Sequence, residues 1–360
     1  METLTNTVIN KEIELKVGES VVLFLTKDKT SEIKDKKESV SINGPFEVVD
    51  SDDNFLLLDK LSYSFDGINY SEPLRNMGVF NELLNCRYCG QVYLKYSFNI
   101  KNIPTKMQFL AEENSIISFE VNGHLVRFTE RSIEEEKLLI ADIQNYIKIG
   151  KNDAVLKIDF YESENVYKVL FGENIDESLK NCLSYDTTIE ACYLKGDFGV
   201  YSNKEFTLGK EKNVYIGEDF FIDKKNNCVN NLLTDGYPFF AGRITLRKTF
   251  ELFDNNVELK LNGNYCLAYD LKINDIKINK SYFSNVVDIS NVAKIGSNKV
   301  EFTLCSSNRN LLGPHHLKNN EEPFDVGPYS YELKGSWKNG VSNKERTNYS
   351  FVRFGLFENN

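Results

Sequence analysis

The chain has 360 residues, 41% hydrophobic and 12% aromatic, with a formal net charge of −10. That length allows one to three domains with real cores and excludes a stapled mini-protein. The acidic balance argues against nucleic acid and anionic membrane surfaces as partners, since both call for clustered Lys and Arg.

The 25 Phe and 19 Tyr favour strands over helices. No run reaches the ~18 apolar residues of a membrane span. The opening METLTNTVINKEIELKV has no apolar core, so no secretory signal is expected. Residues 12–17 and 20–25 flank Gly18-Glu19 and predict a hairpin, and the charged stretch 27–40 reads as a solvated loop or linker. Strand patterns then recur in FEVVD, FLLLD, KLSYSF with an Asp66-Gly67 turn, and VYLKYSFNI. Helical periodicity is confined to short stretches around 79–85, 138–147 and 174–181. The pattern predicts an all-β chain of sandwich type with a few short helices.

Seven cysteines are dispersed without framework spacing, which suits a reducing cytoplasm. Cys86 and Cys89 form a CxxC. No second CxxC or HxxxH completes a zinc set, and a strand pattern follows it rather than a helix. Two reduced thiols beside a strand start are therefore expected.

An internal repeat organises the chain. GQVYLKYSF (90–98) aligns with GRITLRKTF (242–250), and EVNGHLV (120–126) with KINDIKI (272–278). IADIQNYIKIGKNDAVLKIDF (140–160) then aligns with VDISNVAKIGSNKVEFTL (287–304), which is slightly shorter. Three matches in one order imply two copies of one β-sandwich unit. In the first copy Val92, Leu94, Tyr96 and Phe98 alternate as the buried side of a strand. Asn122-Gly123 and Asn274-Asp275 are tight turns, and Gly150 and Gly296 supply positive φ before the last strand.

These elements resemble the galactose-binding-like jelly roll of the sugar-binding domain in glycoside hydrolase family 2. Phe119, Val121, Asn122, Gly123, Asp142, Ile143, Gly150 and Asn152 carry the resemblance. The wider layout, in 44–67, 83–98, 234–250 and the terminal LLGPHH…VGP…YSFVRFGL, is similar to the C-terminal non-catalytic part of family 106 α-L-rhamnosidases. The resemblance implies two tandem jelly-roll β-sandwiches with a short N-terminal β-region. The expected boundaries are 1–43 for the hairpin and charged linker, 44–203 for the first sandwich and 204–360 for the second. Those enzymes place a catalytic barrel before such domains, and no stretch here supplies eight βα units, so no catalytic carboxylate carries over.

Candidate binding residues cluster late in the chain. LLGPHHLKNNEEPFDVGP (311–328) is punctuated by Pro and Gly beyond the last repeat strand, where binding residues concentrate. Adjacent His315 and His316 on extended chain point to opposite sides, and no metal spacing joins them to Glu321, Glu322 or Asp325, so no metal site is expected. Glycosidase chemistry needs two carboxyls ~5–9.5 Å apart across a sugar, which neighbouring Glu321 and Glu322 do not promise. The bland alternative is a loop that caps the sandwich through a histidine–backbone bond.

Sugar sites combine flat rings with hydroxyl partners. DGYPFFAGR offers Tyr237 and Arg243, with Phe239 and Phe240 expected in core packing. YSYELKGSW offers Tyr329, Tyr331 and Trp337, the last expected to be exposed. The linker TTIEACYLKGDFGVYS is expected to pack against both sandwiches, with Asp197 buried against Arg243 or Lys195.

The resulting expectation is a non-catalytic, carbohydrate-associated module of a glycoside hydrolase. Its binding set is His315, His316, Glu322, Tyr329, Tyr331, Trp337, Tyr237 and Arg243. No cofactor is expected, although loop oxygens could hold a structural calcium. Expected partners are a carbohydrate and a glycoside hydrolase catalytic domain or a second copy of the chain. The alternatives are a rhamnosidase-like glycosidase working between the sandwiches and a purely structural or oligomerisation module.

Overall fold

The computed structural model describes residues 2–3, 23–24, 37–131, 138–209, 214–261, 263–278, 285–313, 315–316 and 348–356. The protein is all-β, built as two sandwiches with separate hydrophobic cores. Among the described residues no helix is long and apolar enough to cross a membrane.

The first sandwich centres on two strands, Gly90–Ile100 and Gly150–Phe160, paired antiparallel along their full length. Val92, Leu94, Tyr96, Phe98 and Ile100 are buried while Tyr93, Lys95 and Ser97 face outward, the period-two alternation of a sheet with one face in the core. The facing sheet runs Glu130–Arg131, Leu138–Asp142, Met107–Glu112, Cys192–Gly196 and Asn54–Leu58. Residues 138–147, read from periodicity as helical, begin instead with the strand Leu138–Asp142. Pairing with Met107–Glu112 and burial of Ile140 and Ala141 override local helical preference there. The helix expected around 79–85 forms over Asn76–Asn85.

The second sandwich pairs Arg243–Leu252 with Gly296–Cys305 in the same way, over a core containing Leu246, Phe302, Leu271 and Tyr269. Strand membership crosses the expected boundaries. Glu38–Ser41, within the presumed charged linker, pairs parallel with Val257–Lys260, and Phe46–Ser51 pairs with Arg243–Leu252. Both precede the first sandwich yet belong to the second. Conversely, Phe220–Asp223 pairs with Gly199–Ser202 and touches Gly90–Ile100 in the first. The first sandwich thus interrupts the second. The seam is fastened further along: Tyr237 and Phe240 pack in the second core while Phe239 packs in the first. The predicted hairpin about Gly18-Glu19 lies outside the described residues; Glu2–Thr3 pairs antiparallel with Leu23–Phe24.

The repeat is visible at atomic detail. Asn122 and Asn274 both hold φ +51°, followed by Gly123 at +82° and Asp275 at +68°. Gly150 and Gly296 hold +90° and +91°, a region in which glycine is not penalised. Asn122 Nδ2 donates to Asn152 Oδ1 at 2.8 Å, and Asn274 Nδ2 donates to Asn298 Oδ1 at 2.9 Å. Asn152 also donates to Lys148 O and Gly150 O and accepts from Lys148 N; Asn298 repeats this with Lys294 and Gly296. Both amides are buried, so each must find its bonds inside the protein. Asn152→Ala and Asn298→Ala should each cost about 2 kcal/mol, because truncation orphans buried backbone groups. Urea denaturation of each variant checks this; a loss under about 0.5 kcal/mol would show that the network is dispensable.

Candidate functional site

Two polar constellations stand out. The first is an open surface groove at the seam. Strands Gly199–Ser202 and Phe220–Asp223 end beside the segment that crosses to Cys228–Val229 in the second sandwich. Tyr201, Ser202, Phe221, Asp223, Lys224, Lys225 and Asn226 enclose about 480 Å³. Glycine permits the close packing of Tyr201. A Cβ on Gly199 would lie 2.7 Å from its ring, and one on Gly236, at φ +113°, would lie 3.0 Å from its hydroxyl. The hydroxyl donates to Lys224 O at 2.9 Å, and burial, with Asp223 and Asp235 nearby, pushes its pKa up to about 12. The rings of Tyr201 and Phe221 stack at 5.9 Å, and the Lys101 ammonium sits 3.4 Å from the Phe221 ring centroid.

Polar groups frame these rings. Asp223 Oδ1 accepts from Asn102 Nδ2 at 2.6 Å and from Lys224 N at 2.8 Å. Lys225 Nζ bridges Asp197 at 3.0 Å and Ser51 Oγ at 2.8 Å, joining the two sandwiches. Asp197 also accepts from Thr105 Oγ1. The Lys225 bond outweighs burial and holds the Asp197 carboxyl below its ordinary range. Its partners are therefore Lys225 and Thr105, not the expected Arg243 or Lys195, and its side chain is half exposed.

The second constellation is the histidine pair. His315 is buried among the rings of Phe239, Tyr349 and Phe351. Its Nε2 faces Leu311 O at 3.3 Å, and its Nδ1 meets no partner among the described residues. Burial pushes its pKa down to about 4 against the pull of Asp59, so the ring is neutral at pH 7. His316 is the opposite case. Its Nδ1 lies 2.7 Å from Asn348 O and its Nε2 2.8 Å from Asp59 Oδ2. Both partners are acceptors, so each ring nitrogen that carries a proton has a place to donate it. Tyr349 donates to Asp59 Oδ1 at 2.6 Å. Burial would raise the Asp59 carboxyl, but the bonds from His316 and Tyr349 and the His316 charge hold it at about 2. This cluster braces the segments on either side of 317–347 against the first sandwich; Asn310, bonded both ways to Val352, ties them to each other.

The expected set therefore disperses. Tyr237 is 0% exposed, its ring packed on Phe240, so it cannot face a sugar. His315 is likewise sealed in the core, which corrects its place on a binding surface. His316 is spent on Asp59 and Asn348. Arg243 is exposed at the start of its strand, where its main-chain N–H bonds Asp52 Oδ2 at 2.7 Å. Glu321, Glu322, Asp325, Tyr329, Tyr331 and Trp337 lie outside the described residues. Among the described residues no three His, Cys, Asp or Glu side chains group to hold a metal. All seven cysteines are free thiols, with Cys86 and Cys89 exposed. Sequence reasoning missed Asp59 and the groove residues. FLLLD did place an acid at the end of a buried run, where it needs a partner.

The sequence matches no family model and no curated protein. Solved structures do match. A β-glucuronidase from Ruminococcus gnavus is 12% identical over 56% of this chain and 43% of that one, with a TM-score of 0.29. A β-D-mannosidase from Dictyoglomus thermophilum is 10% identical over 71% and 31%, at 0.29. A family 2 β-galacturonidase from Eisenbergiella tayi is 13% identical over 72% and 37%, at 0.27. The chain spans less than half the length of each.

Proposed function

We propose that this chain is a non-catalytic carbohydrate-binding module, allied to a glycoside hydrolase, and that it holds sugar in the seam groove. The groove carries the reading: Tyr201, backed by the buried Phe221, lies beside Asp223, Lys224 and Asn226, on strands held by the first core. Rings with nearby donors and acceptors are what a sugar's C–H face and hydroxyls require. The groove's carboxylates already have bonding partners, Asp197 in Lys225 and Thr105 and Asp223 in Asn102. They are not a facing acid and nucleophile. The twice-built asparagine hairpin agrees with the galactose-binding-like resemblance, and seven free thiols agree with a cytoplasmic location. A catalytic barrel supplied by a partner belongs to the same proposal. The glycosidase alternative would rest on Glu321, Glu322 and Asp325.

A glycan-array screen tests the proposal. The wild-type chain should bind at least one glycan class, and Asp223→Ala with Asn226→Ala should weaken that binding roughly tenfold with the far-UV spectrum unchanged. Absence of any glycan binding, or binding indifferent to the double substitution, would refute the groove as the site.

A further inference from the structure

The charges around the groove are of two kinds. Asp197 is neutralised by Lys225, and Asp223 is engaged through Oδ1 by Asn102 and by the Lys224 main chain. The ammonium groups of Lys101 and Lys224 pair with no carboxylate among the described residues. Lys101 lies over the Phe221 ring at the rim, and Lys224 lines the groove with its side chain exposed. On a chain of formal charge −10, the groove and its edge thus set two unpaired ammonium groups against the one unpaired carboxylate of Asp223, a net positive charge. An ammonium over an aromatic face keeps its charge available, because the ring does not neutralise it. Asp223 Oδ2 has no bond from Asn102 or Lys224 and can accept a sugar hydroxyl.

We infer that the groove selects acidic glycans, with a carboxylate or sulfate meeting Lys224 in the field of Lys101 while a neighbouring hydroxyl bonds Asp223. The inference rests on the groove being the sugar site. A neutral sugar would use Tyr201 and Asp223 alone and make no use of either ammonium group.

The test titrates the wild-type chain with three oligosaccharides of matched length, one neutral, one containing uronate and one sulfated, at 50 mM and at 300 mM salt (conditions chosen about the Debye length). At low salt an acidic ligand should bind about tenfold tighter than the neutral one, and the gap should narrow at high salt. Lys224→Gln should weaken the acidic ligand roughly threefold to fivefold and leave the neutral one unchanged, and Lys101→Gln should act in the same direction. The uronate and sulfate arms show which anion is used. Equal binding of neutral and acidic ligands, or acidic binding indifferent to both lysines, overturns the inference while keeping the sugar site. Failure of all three ligands and of the array overturns the sugar site itself.

Discussion

Asp59→Ala should lower the unfolding free energy by about 3 kcal/mol, because it removes the one acceptor that two part-buried groups, His316 and Tyr349, share. Asp59 and His316 side chains are 11% and 14% exposed, so water cannot readily replace the lost carboxylate. Truncation removes the acceptor that faces His316 Nε2 and leaves the Tyr349 hydroxyl without the carboxylate it bonds here. The Asp59→Ala/His316→Ala double variant should cost clearly less than the sum of the two single changes, because each single change already breaks the bond the two residues share. Guanidinium denaturation of the four proteins measures this. Strict additivity, or an Asp59→Ala cost under about 1 kcal/mol, would mean that the cluster is not a coupled brace.

Acid should destabilise the protein over two pH windows, and the higher one belongs to His315. Its pKa falls from 6.5 when unfolded to about 4 when folded. Between those values the unfolded chain binds the proton and the folded chain does not, so stability falls with falling pH. The contribution is fully present above pH 6.5 and is lost by about pH 4, on the order of 3 kcal/mol. Asp59 adds the lower window, since its carboxyl titrates at 3.8 when unfolded and about 2 when folded. Its stabilisation is present above pH 3.8 and fades as pH falls through about 2. His315→Phe keeps an aromatic group among Phe239, Tyr349 and Phe351 and has nothing to protonate. Its stability should be flatter than the wild type between pH 6.5 and 4. Urea midpoints across that interval decide the matter, and parallel slopes for both proteins would contradict the assignment.

The repeated unit was legible in advance because its signals are local. An asparagine in a left-handed turn, a glycine at the next turn and an alternating strand are each set by neighbours a few residues away. Asn122, Gly150 and their counterparts Asn274 and Gly296 accordingly sit where the alignment put them. Sheet membership was not legible. The alternation in FEVVDS tells which face is buried, not which sandwich buries it, and Glu38–Ser41 finds its partner only in Val257–Lys260. The Leu138–Asp142 segment shows the same limit, since its apolar residues fit a helix until the neighbouring strand claims them.

The candidate site was legible only in kind. Aromatic residues beside polar ones marked DGYPFFAGR, yet such residues equally build a seam, and Tyr237 and Phe240 serve the second core. The groove rings come instead from two separate strands, with Tyr201 two residues after Gly199 and Phe221 beside it by antiparallel pairing. The registry Tyr201↔Phe221 is a tertiary fact, invisible at a separation of this length. His315 and His316 were expected on opposite sides of the chain, yet their rings lie 6.3 Å apart and both pack on Tyr349, and only the fold brings Asp59 to His316.

Binding without turnover is the central claim, and one equilibrium measurement reaches it directly. The wild-type chain, alone and in excess, is held for a day with its best array ligand labelled at the reducing end, and free, bound and shortened sugars are then separated by electrophoresis. The account predicts saturable binding with the label still on a full-length sugar, and weaker binding when Asp223 and Asn226 are both alanine. Time-dependent appearance of shorter labelled sugars, proportional to the wild-type chain, would contradict it and make this chain a hydrolase.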